Sequence, residues 1–327
     1  MNFLLPQPKE IRTINLSLSN RCNAKCIWCP TSRGTKHNYD MPPELAYKII
    51  DEISSPDFPY EVDGINVSEN GEPFYNKNAI DILRHIKKKI PTSKVLCLSN
   101  FGLLGRKVTE IICKEKLLTS VGVNFDGHDE ESYHNVKKIP FKSVLKNFLY
   151  FIEMREKYYP DLHVGINVMP AVEYSQTVKE FFGANPDQVD DLSKLKFSNR
   201  DLVEETLRKH LPDDIVVRAS KPGLWAERKH ILAGRKGHFQ RKDLSCPMFE
   251  RVEHEIYVAP NGDWYACCLD DNNDAVFGNL NDQTIVEINQ STRRRKFIND
   301  LKNKRFESAG YPCNTVEACQ IISMTRN

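Results

Sequence analysis

Apolar and polar positions alternate along Arg12-Thr13-Ile14-Asn15-Leu16-Ser17-Leu18, the period-two pattern of a strand. From Pro43 to Ile53 the period lengthens. Leu45, Ala46, Ile49, Ile50 and Ile53 share one helical face, and Asp40 or Pro42-Pro43 marks its start. The exchange then repeats. Strands are predicted over 62–68, 95–99, 120–125, 164–169 and 215–218, and helices over 78–89, 107–117 and 143–157. In the last helix Val144, Leu145, Phe148, Phe151 and Ile152 point inward. Strand–helix alternation of this kind gives an α/β fold with a parallel sheet and helices outside. Right-handed crossovers curl about six such units into a partial (β/α)6 barrel, with functional groups at the C-terminal ends of the strands.

Two stretches break the rhythm. The polar segment 174–212 holds Gly183, Asn185 and Pro186 and reads as irregular helices, a lid or an insertion. After about Cys246 the texture changes. Glu255–Ala259 and Asp263–Cys267 flank Pro260-Asn261-Gly262, and Asn-Gly between β-prone runs is a strong hairpin signal. A helix is predicted over 284–304, then a loop-like tail over 310–319. The expected division is a barrel domain at 1–240 and a small hairpin-plus-helix domain at 241–327.

Composition narrows the function only a little. With 40% hydrophobic and 28% charged residues the chain is an ordinary globular protein. No apolar run approaches the ~18–20 residues of a membrane span, and the start lacks a basic signal-peptide region, so a cytoplasmic protein without a membrane role is expected. A net charge of +2 gives no argument for nucleic acid. The local run Arg293-Arg294-Arg295-Lys296 is either a solvated helix face or a patch favouring an anionic substrate.

The ten cysteines change the picture more. A long chain without a secretory signal does not suggest a disulfide framework. Cys97 and Cys113 read as core thiols; the rest gather at the two ends, as metal ligands would. Cys22, Cys26 and Cys29 lie within eight residues, just after the first strand. Thiolates are the usual ligands of iron–sulfur clusters, and a full site needs four. Three from this loop would leave one iron open. The rival is structural zinc, which prefers paired Cys knuckles and four ligands.

Cys-x3-Cys-x2-Cys, with Trp28 before the last cysteine, resembles the signature of the radical S-adenosylmethionine (SAM) superfamily. The resemblance implies a [4Fe–4S] cluster on Cys22, Cys26 and Cys29. Its open iron would chelate SAM, whose reductive cleavage gives a 5′-deoxyadenosyl radical that takes hydrogen from substrate. Glu69-Asn70-Gly71-Glu72-Pro73, after the second strand, resembles the family's Gly-Gly-Glu-Pro motif, which implies SAM contacts from Asn70, Gly71 and Glu72. Ser99-Asn100-Phe101-Gly102 resembles its Thr-Asn-Gly turn, and Val123-Asn124-Phe125-Asp126-Gly127 its Ser-Leu-Asp-Gly; Ser99 and Asn124 are the implied contacts. His134-Asn135-Val136-Lys137-Lys138 resembles His-Asp-x-x-Arg, with Lys138 in place of an arginine that pairs with the methionyl carboxylate. Lysine keeps the charge but not the bidentate fork.

At the other end Cys246, Gly262-x4-Cys267, Cys313 and Cys319 resemble the SPASM extension or its shortened twitch form. The resemblance implies one auxiliary [4Fe–4S] cluster on these four cysteines, with zinc as the rival metal. Val316 stands where related tails often carry a further cysteine. Cys268 is either a small residue beside the cluster or a catalytic hydrogen-atom donor. The implied activity is hydrogen abstraction from a small molecule, a sugar or aminocyclitol, anionic or not. Either dehydrogenation or epimerisation would follow, with flavodoxin or ferredoxin as electron donor. A peptide-modifying enzyme and a zinc-clipped binding protein without catalysis are the alternatives.

Overall fold

A computed structural model describes residues 10–26, 29, 38–169, 196–219, 246, 248–268, 270 and 273–314. Six strands run parallel: β1 (Glu10–Leu16), β2 (Glu61–Asn66), β3 (Lys94–Ser99), β4 (Ser120–Asn124), β5 (His163–Val168) and β6 (Val216–Ala219). Between them stand α1 (Pro43–Ile53), α2 (Ala79–Lys89), α3 (Arg106–Glu115), α4 (Glu130–Lys137), α5 (Phe141–Tyr158) and α6 (Arg200–Arg208). The expected α/β architecture with a parallel sheet is therefore present. The C-terminal part adds α7 (Phe249–His254), β7 (Glu255–Val258), β8 (Asp263–Tyr265), β9 (Val276–Asn279), α8 (Ile285–Gln290), α9 (Thr292–Lys302) and α10 (Phe306–Ala309).

The hairpin does not stand apart from the barrel. Strand order is β6-β5-β4-β3-β2-β1-β7-β8-β9, so β7 lies parallel against the outer edge of β1, and β8 and β9 continue the sheet antiparallel. Thr13 pairs with Glu255, and Leu16 with Val258.

The sheet has one covered and one more open face at β3 to β5, whereas β7 and the C-terminal half of β1 are buried on both. In β3, Val95, Cys97 and Ser99 are buried, whereas Leu96 and Leu98 are 38% and 43% exposed. Ile14, Leu16, Ile65, Val67, Val121, Val123, Ile166 and Val168 share the covered face and one core with the inward sides of α1, α2 and α5. Phe148 of α5 closes it, its ring 5.2 Å from Phe101 and 5.8 Å from Phe125. Cys97 and Cys113 belong to this core, as expected. The register puts Asn15, Asn66, Leu96, Tyr257 and, nearer the C-terminal ends, Asn124, Asn167 and Arg218 on the opposite face.

Sequence and structure differ at particular elements. The helix expected over 284–304 is two, because Ser291 leaves helical geometry and caps α9 by accepting the Arg294 N–H. Residues 199–208, expected to be irregular, contain α6, which Asn199 caps through the Leu202 N–H. Helices α4 and α7 and strand β9 are additional, each too short for a periodic signal. The remainder of the polar segment, at 174–195, lies outside the described residues.

Candidate iron–sulfur and cofactor site

The loop after β1 is tied down before it reaches its first cysteine. Ser19 Oγ donates to Asp40 Oδ1 (2.6 Å), and the Arg21 guanidinium meets Asp40 Oδ2 (3.1 Å) while lying 4.2 Å from the Tyr75 ring centroid. Buried Asn76 donates to the carbonyls of Leu18 and Met41, both at 2.9 Å. The loop therefore leaves the sheet in a fixed direction.

The turn after β2 presses against this loop. Gly71 has φ +85°, and a Cβ there would stand 2.4 Å from the Ser19 carbonyl oxygen and 2.7 Å from that of Arg21. Only glycine allows both the backbone angle and the approach. Next to it, the Glu72 N–H donates to the Arg21 carbonyl (2.8 Å). Asn70, where the resembled motif has glycine, donates to the Tyr265 hydroxyl (3.1 Å) and so links the turn to β8.

Glu72 is 1% exposed. Its Oε1 accepts from Ser99 Oγ (2.7 Å) and its Oε2 from the Asn100 N–H (2.8 Å). Burial pushes its carboxyl up to about 7, against the pull of these hydrogen bonds. The group thus joins the ends of β2 and β3, and with the Phe74 N–H as a third donor its two oxygens keep room for about one more. Ser99 is buried, with its hydroxyl on Glu72 and on the Phe101 N–H (3.0 Å).

Cys22, Cys26 and Cys29 come close enough to act on one another electrostatically. Burial pushes the Cys22 thiol up to about 12, partly relieved by the Ala24 N–H, which lies 3.4 Å from Sγ. It pushes Cys26 up to about 11, partly relieved by the charge of Lys137. As free thiols Cys22 and Cys26 are protonated at neutral pH; a metal must displace their protons on binding. Among the described residues no three His, Cys, Asp or Glu side chains converge as ligands of one ion. The donor set nevertheless suits a cubane: three thiols on one loop, an N–H on Cys22, and a glycine turn pressed against the residues that lead into Cys22.

Lys137, absent from the sequence-derived set, is the buried cation of this region. Its ammonium is 2.7 Å from Asp126 Oδ2, its carbonyl accepts from the Lys25 N–H (3.0 Å), and Asp126 Oδ1 accepts from the Met169 N–H (2.7 Å). Burial pulls its pKa down, but Asp126 and then Cys26 outweigh that and hold it above the ordinary lysine value. Lys138, named from the motif, is exposed instead. It ends α4 with φ +58°, its N–H on the His134 carbonyl. The two lysines are adjacent in sequence, so only the turn of α4 tells which one faces inward. Asn124 lies at the end of β4 beside Asn167, on the open face.

Of the second cysteine group, Cys267 and Cys313 are buried and Cys246 is partly so. Cys319 lies outside the described residues, as does Trp28. Cys268 turns toward the open face. Its Sγ is 3.8 Å from Arg251 Nη1 and hydrogen-bonded to Tyr257. The Tyr257 hydroxyl donates to Glu255 Oε2 (2.6 Å), which also accepts from Asn15 (3.2 Å), and Asn15 in turn accepts from Asn66 (3.0 Å). Cys268 thus ends a polar chain that crosses β7, β1 and β2. The alternating polar positions Asn15 and Asn66 were the available sequence signal for it.

A family model of the radical SAM superfamily matches residues 16–180, and one of an iron–sulfur cluster-binding domain, SPASM, matches residues 246–319. A GTP 3′,8-cyclase of Clostridium perfringens (strain SM101 / Type A) is 26% identical over 196 residues, covering 58% of this chain and 53% of the relative. A probable GTP 3′,8-cyclase of Methanocaldococcus jannaschii is 30% identical over 132 residues, covering 40% and 41%. The chain thus spans about half or less of the curated relatives it matches. Among solved structures, anSMEcpe with bound AdoMet has a TM-score of 0.57 at 13% identity, covering 96% of this chain and 88% of that one. BtrN in complex with AdoMet and 2-DOIA has a TM-score of 0.50 at 17% identity, covering 95% and 92%. Streptococcus suis SuiB bound to S-adenosylmethionine has 0.53 at 16%, covering 88% and 67%. At these identities the likeness is one of fold.

Proposed function

This chain belongs to the radical SAM superfamily and carries a SPASM iron–sulfur extension, and from that membership we propose that it removes hydrogen from a small polar molecule, a sugar or aminocyclitol, and epimerises or dehydrogenates it. SAM and [4Fe–4S] clusters are the cofactors these two domains imply. When bound, they supply the one-electron cleavage of SAM that draws a hydrogen atom from a substrate carbon. The rest falls to the chain's own residues. In this reading Cys22, Cys26 and Cys29 hold the cluster. Glu72 uses its remaining acceptor capacity for the methionyl ammonium. Gly71 sets how closely that turn approaches the loop, and Asn124 lines the approach from β4. Cys246, Cys267, Cys313 and Cys319 hold the auxiliary cluster.

The observation that carries the substrate class is the open face. It offers the half-buried amides of Asn66, Asn124 and Asn167 beside the exposed carbon surface of Leu96 and Leu98, a mixture suited to a polyhydroxylated ring. The placement of Cys268 favours epimerisation of the two outcomes. Its thiol borders that face, hydrogen-bonded to Tyr257 and beside Arg251, and can return a hydrogen atom to the substrate carbon. One electron and one proton then restore the thiol, the electron from a flavodoxin- or ferredoxin-type donor. The cyclase relatives and peptide-binding SuiB mark the competing substrate classes, a nucleotide and a peptide.

Anaerobically reconstituted protein given dithionite and SAM is expected to form 5′-deoxyadenosine; none formed by a protein that holds its iron would refute the reading. In D2O an epimerised product gains one solvent deuterium at the inverted carbon. C268A stops product formation while 5′-deoxyadenosine continues. Undiminished product from C268A would favour dehydrogenation.

A further inference from the structure

We propose that Asn100 is the side chain that hydrogen-bonds the cluster thiolate of Cys22 and thereby raises the reduction potential of the cluster. The inference rests on Cys22 being a ligand and goes beyond it, because nothing in the ligand pattern names a residue on β3. Asn100 follows directly after β3 and is buried. Its Nδ2 lies 3.5 Å from Cys22 Sγ and 2.9 Å from Asn23 Oδ1.

The orientation of the amide is decided by its other end. Asn100 Oδ1 accepts from the Gly102 N–H at 2.8 Å. Flipping the amide would set an NH2 group against that N–H and an oxygen against the Asn23 oxygen and the sulfur, so the nitrogen must face Cys22. The two N–H groups of Nδ2 then match the two acceptors, Asn23 Oδ1 and Cys22 Sγ. The Asn100 backbone is held as well, since its N–H is on Glu72 Oε2 at 2.8 Å. Gly102 completes the fit. A Cβ there would stand 2.3 Å from Asn23 Nδ2 and 2.9 Å from Asn100 Oδ1, so a larger residue would push the pair apart.

An N–H donor on a cluster sulfur stabilises the more negative, reduced state over the oxidised one. Cys22 receives two such donors, Ala24 N–H at 3.4 Å and Asn100 Nδ2. The first is backbone and cannot be substituted away. The second is the chain's own adjustable contribution, held on a strand end that also carries the Glu72 contact. Asn100 is a positioning residue in this sense: it reaches the chemistry only through Cys22.

The test is a potentiometric titration of the reconstituted full chain, followed by the electron paramagnetic resonance of the reduced cluster. Asn100→Ala should shift the midpoint negative, by at least about a tenfold loss in the reduction equilibrium (about 59 mV for one electron), at unchanged iron per protein. Asn23→Ala breaks the same Asn100–Asn23 bond but leaves the donor to sulfur. It should loosen the loop without moving the midpoint comparably. An unmoved midpoint in N100A, or an equal shift in N23A, overturns the proposal. If N100A does not retain its cluster, side-chain 15N-asparagine in the N23A protein decides. A nitrogen coupling to the reduced cluster that changes with the label supports Asn100, and its absence overturns it. C22S separates this from the ligand assignment. If C22S keeps full iron and an unaltered signal, Cys22 is not a ligand and the premise fails, whatever N100A does.

Discussion

Gly71 shows how much one missing methyl group decides at this site. Its φ of +85° and a 2.4 Å approach to the Ser19 oxygen both forbid a side chain. Gly71→Ala should destabilise the apo-protein by about 2–4 kcal/mol in chemical denaturation, combining left-handed strain with displacement of the loop. It should also lower iron uptake on reconstitution. Gly165→Ala is the comparison: the nearest atom to its Cβ lies 4.0 Å away, so stability should change little. The motif that contains Gly71 was readable from the order of residues, because its position after a strand is local information. Lys137 and Asn100 were not singled out. Their roles depend on which side of a helix turn or amide faces Cys26 and Cys22, and that is set by tertiary packing.

At the scale of elements, helix ends explain most of the differences between expectation and structure. Asp129 caps α4 by accepting the Ser132 N–H (2.8 Å), and the Ser132 hydroxyl returns to the Asp129 N–H (3.3 Å). Lys196, at the start of the segment leading to α6, adds an ion pair at 2.5 Å. Burial raises the Asp129 carboxyl's pKa, but Lys196 and the Ser132 bonds outweigh this and hold it well below the ordinary carboxylate value. A depressed native pKa stabilises the fold above the unfolded value near 4 and loses that contribution as pH falls below it. Asn keeps the cap and removes only the charge. Asp129→Asn should therefore cost less than about 1 kcal/mol at pH 7, given the partial exposure of the pair. In urea unfolding the gap from wild type should begin to narrow only below about pH 4 and shrink further as pH falls toward the depressed native value, whereas Asp129→Ala should keep a loss of about 1 kcal/mol from the missing cap throughout. A gap that persists unchanged at low pH for D129N would refute the assignment. The long helices were legible because their apolar periodicity extends over ten residues or more, and the parallel strands because short apolar runs alternate with those helices. Helix α4 has eight residues, and the break at Ser291 follows from one capping bond, so neither stands out in a periodic reading.

Across the whole molecule, the C-terminal hairpin completes the sheet that holds the first cysteine loop. β7 covers the β1 edge, Arg251 and Glu255 reach Asn15 through one network, and Asn70 bonds Tyr265. Buried Arg294 of α9 adds a further tie, donating to the carbonyls of Val252 and Glu253 at 3.0 and 2.9 Å and lying 5.1 Å from the Trp264 ring centroid. A chain ending at residue 240 would expose the β1 edge and its apolar neighbours. It should elute as aggregate in size-exclusion chromatography and lack a cooperative thermal transition. A soluble, cooperatively melting fragment would show instead that the barrel strands suffice. The alternation of strands and helices foretold the parallel sheet. It could not foretell which edge the hairpin joins, because that pairing links positions as far apart as Asn15 and Glu255.

The same pairing has a consequence in time. Asn15 and Glu255 are 240 residues apart, and β1 gains its second neighbour only when β7 has been made. At ribosomal speeds of roughly 5–20 residues per second, the first strand and its cysteine loop wait on the order of 10–50 s with one side unpaired. During synthesis, that open edge is where chaperones would bind, and the order of events follows from it. The loop can be built early, but its final seat exists only after β7 has left the ribosome.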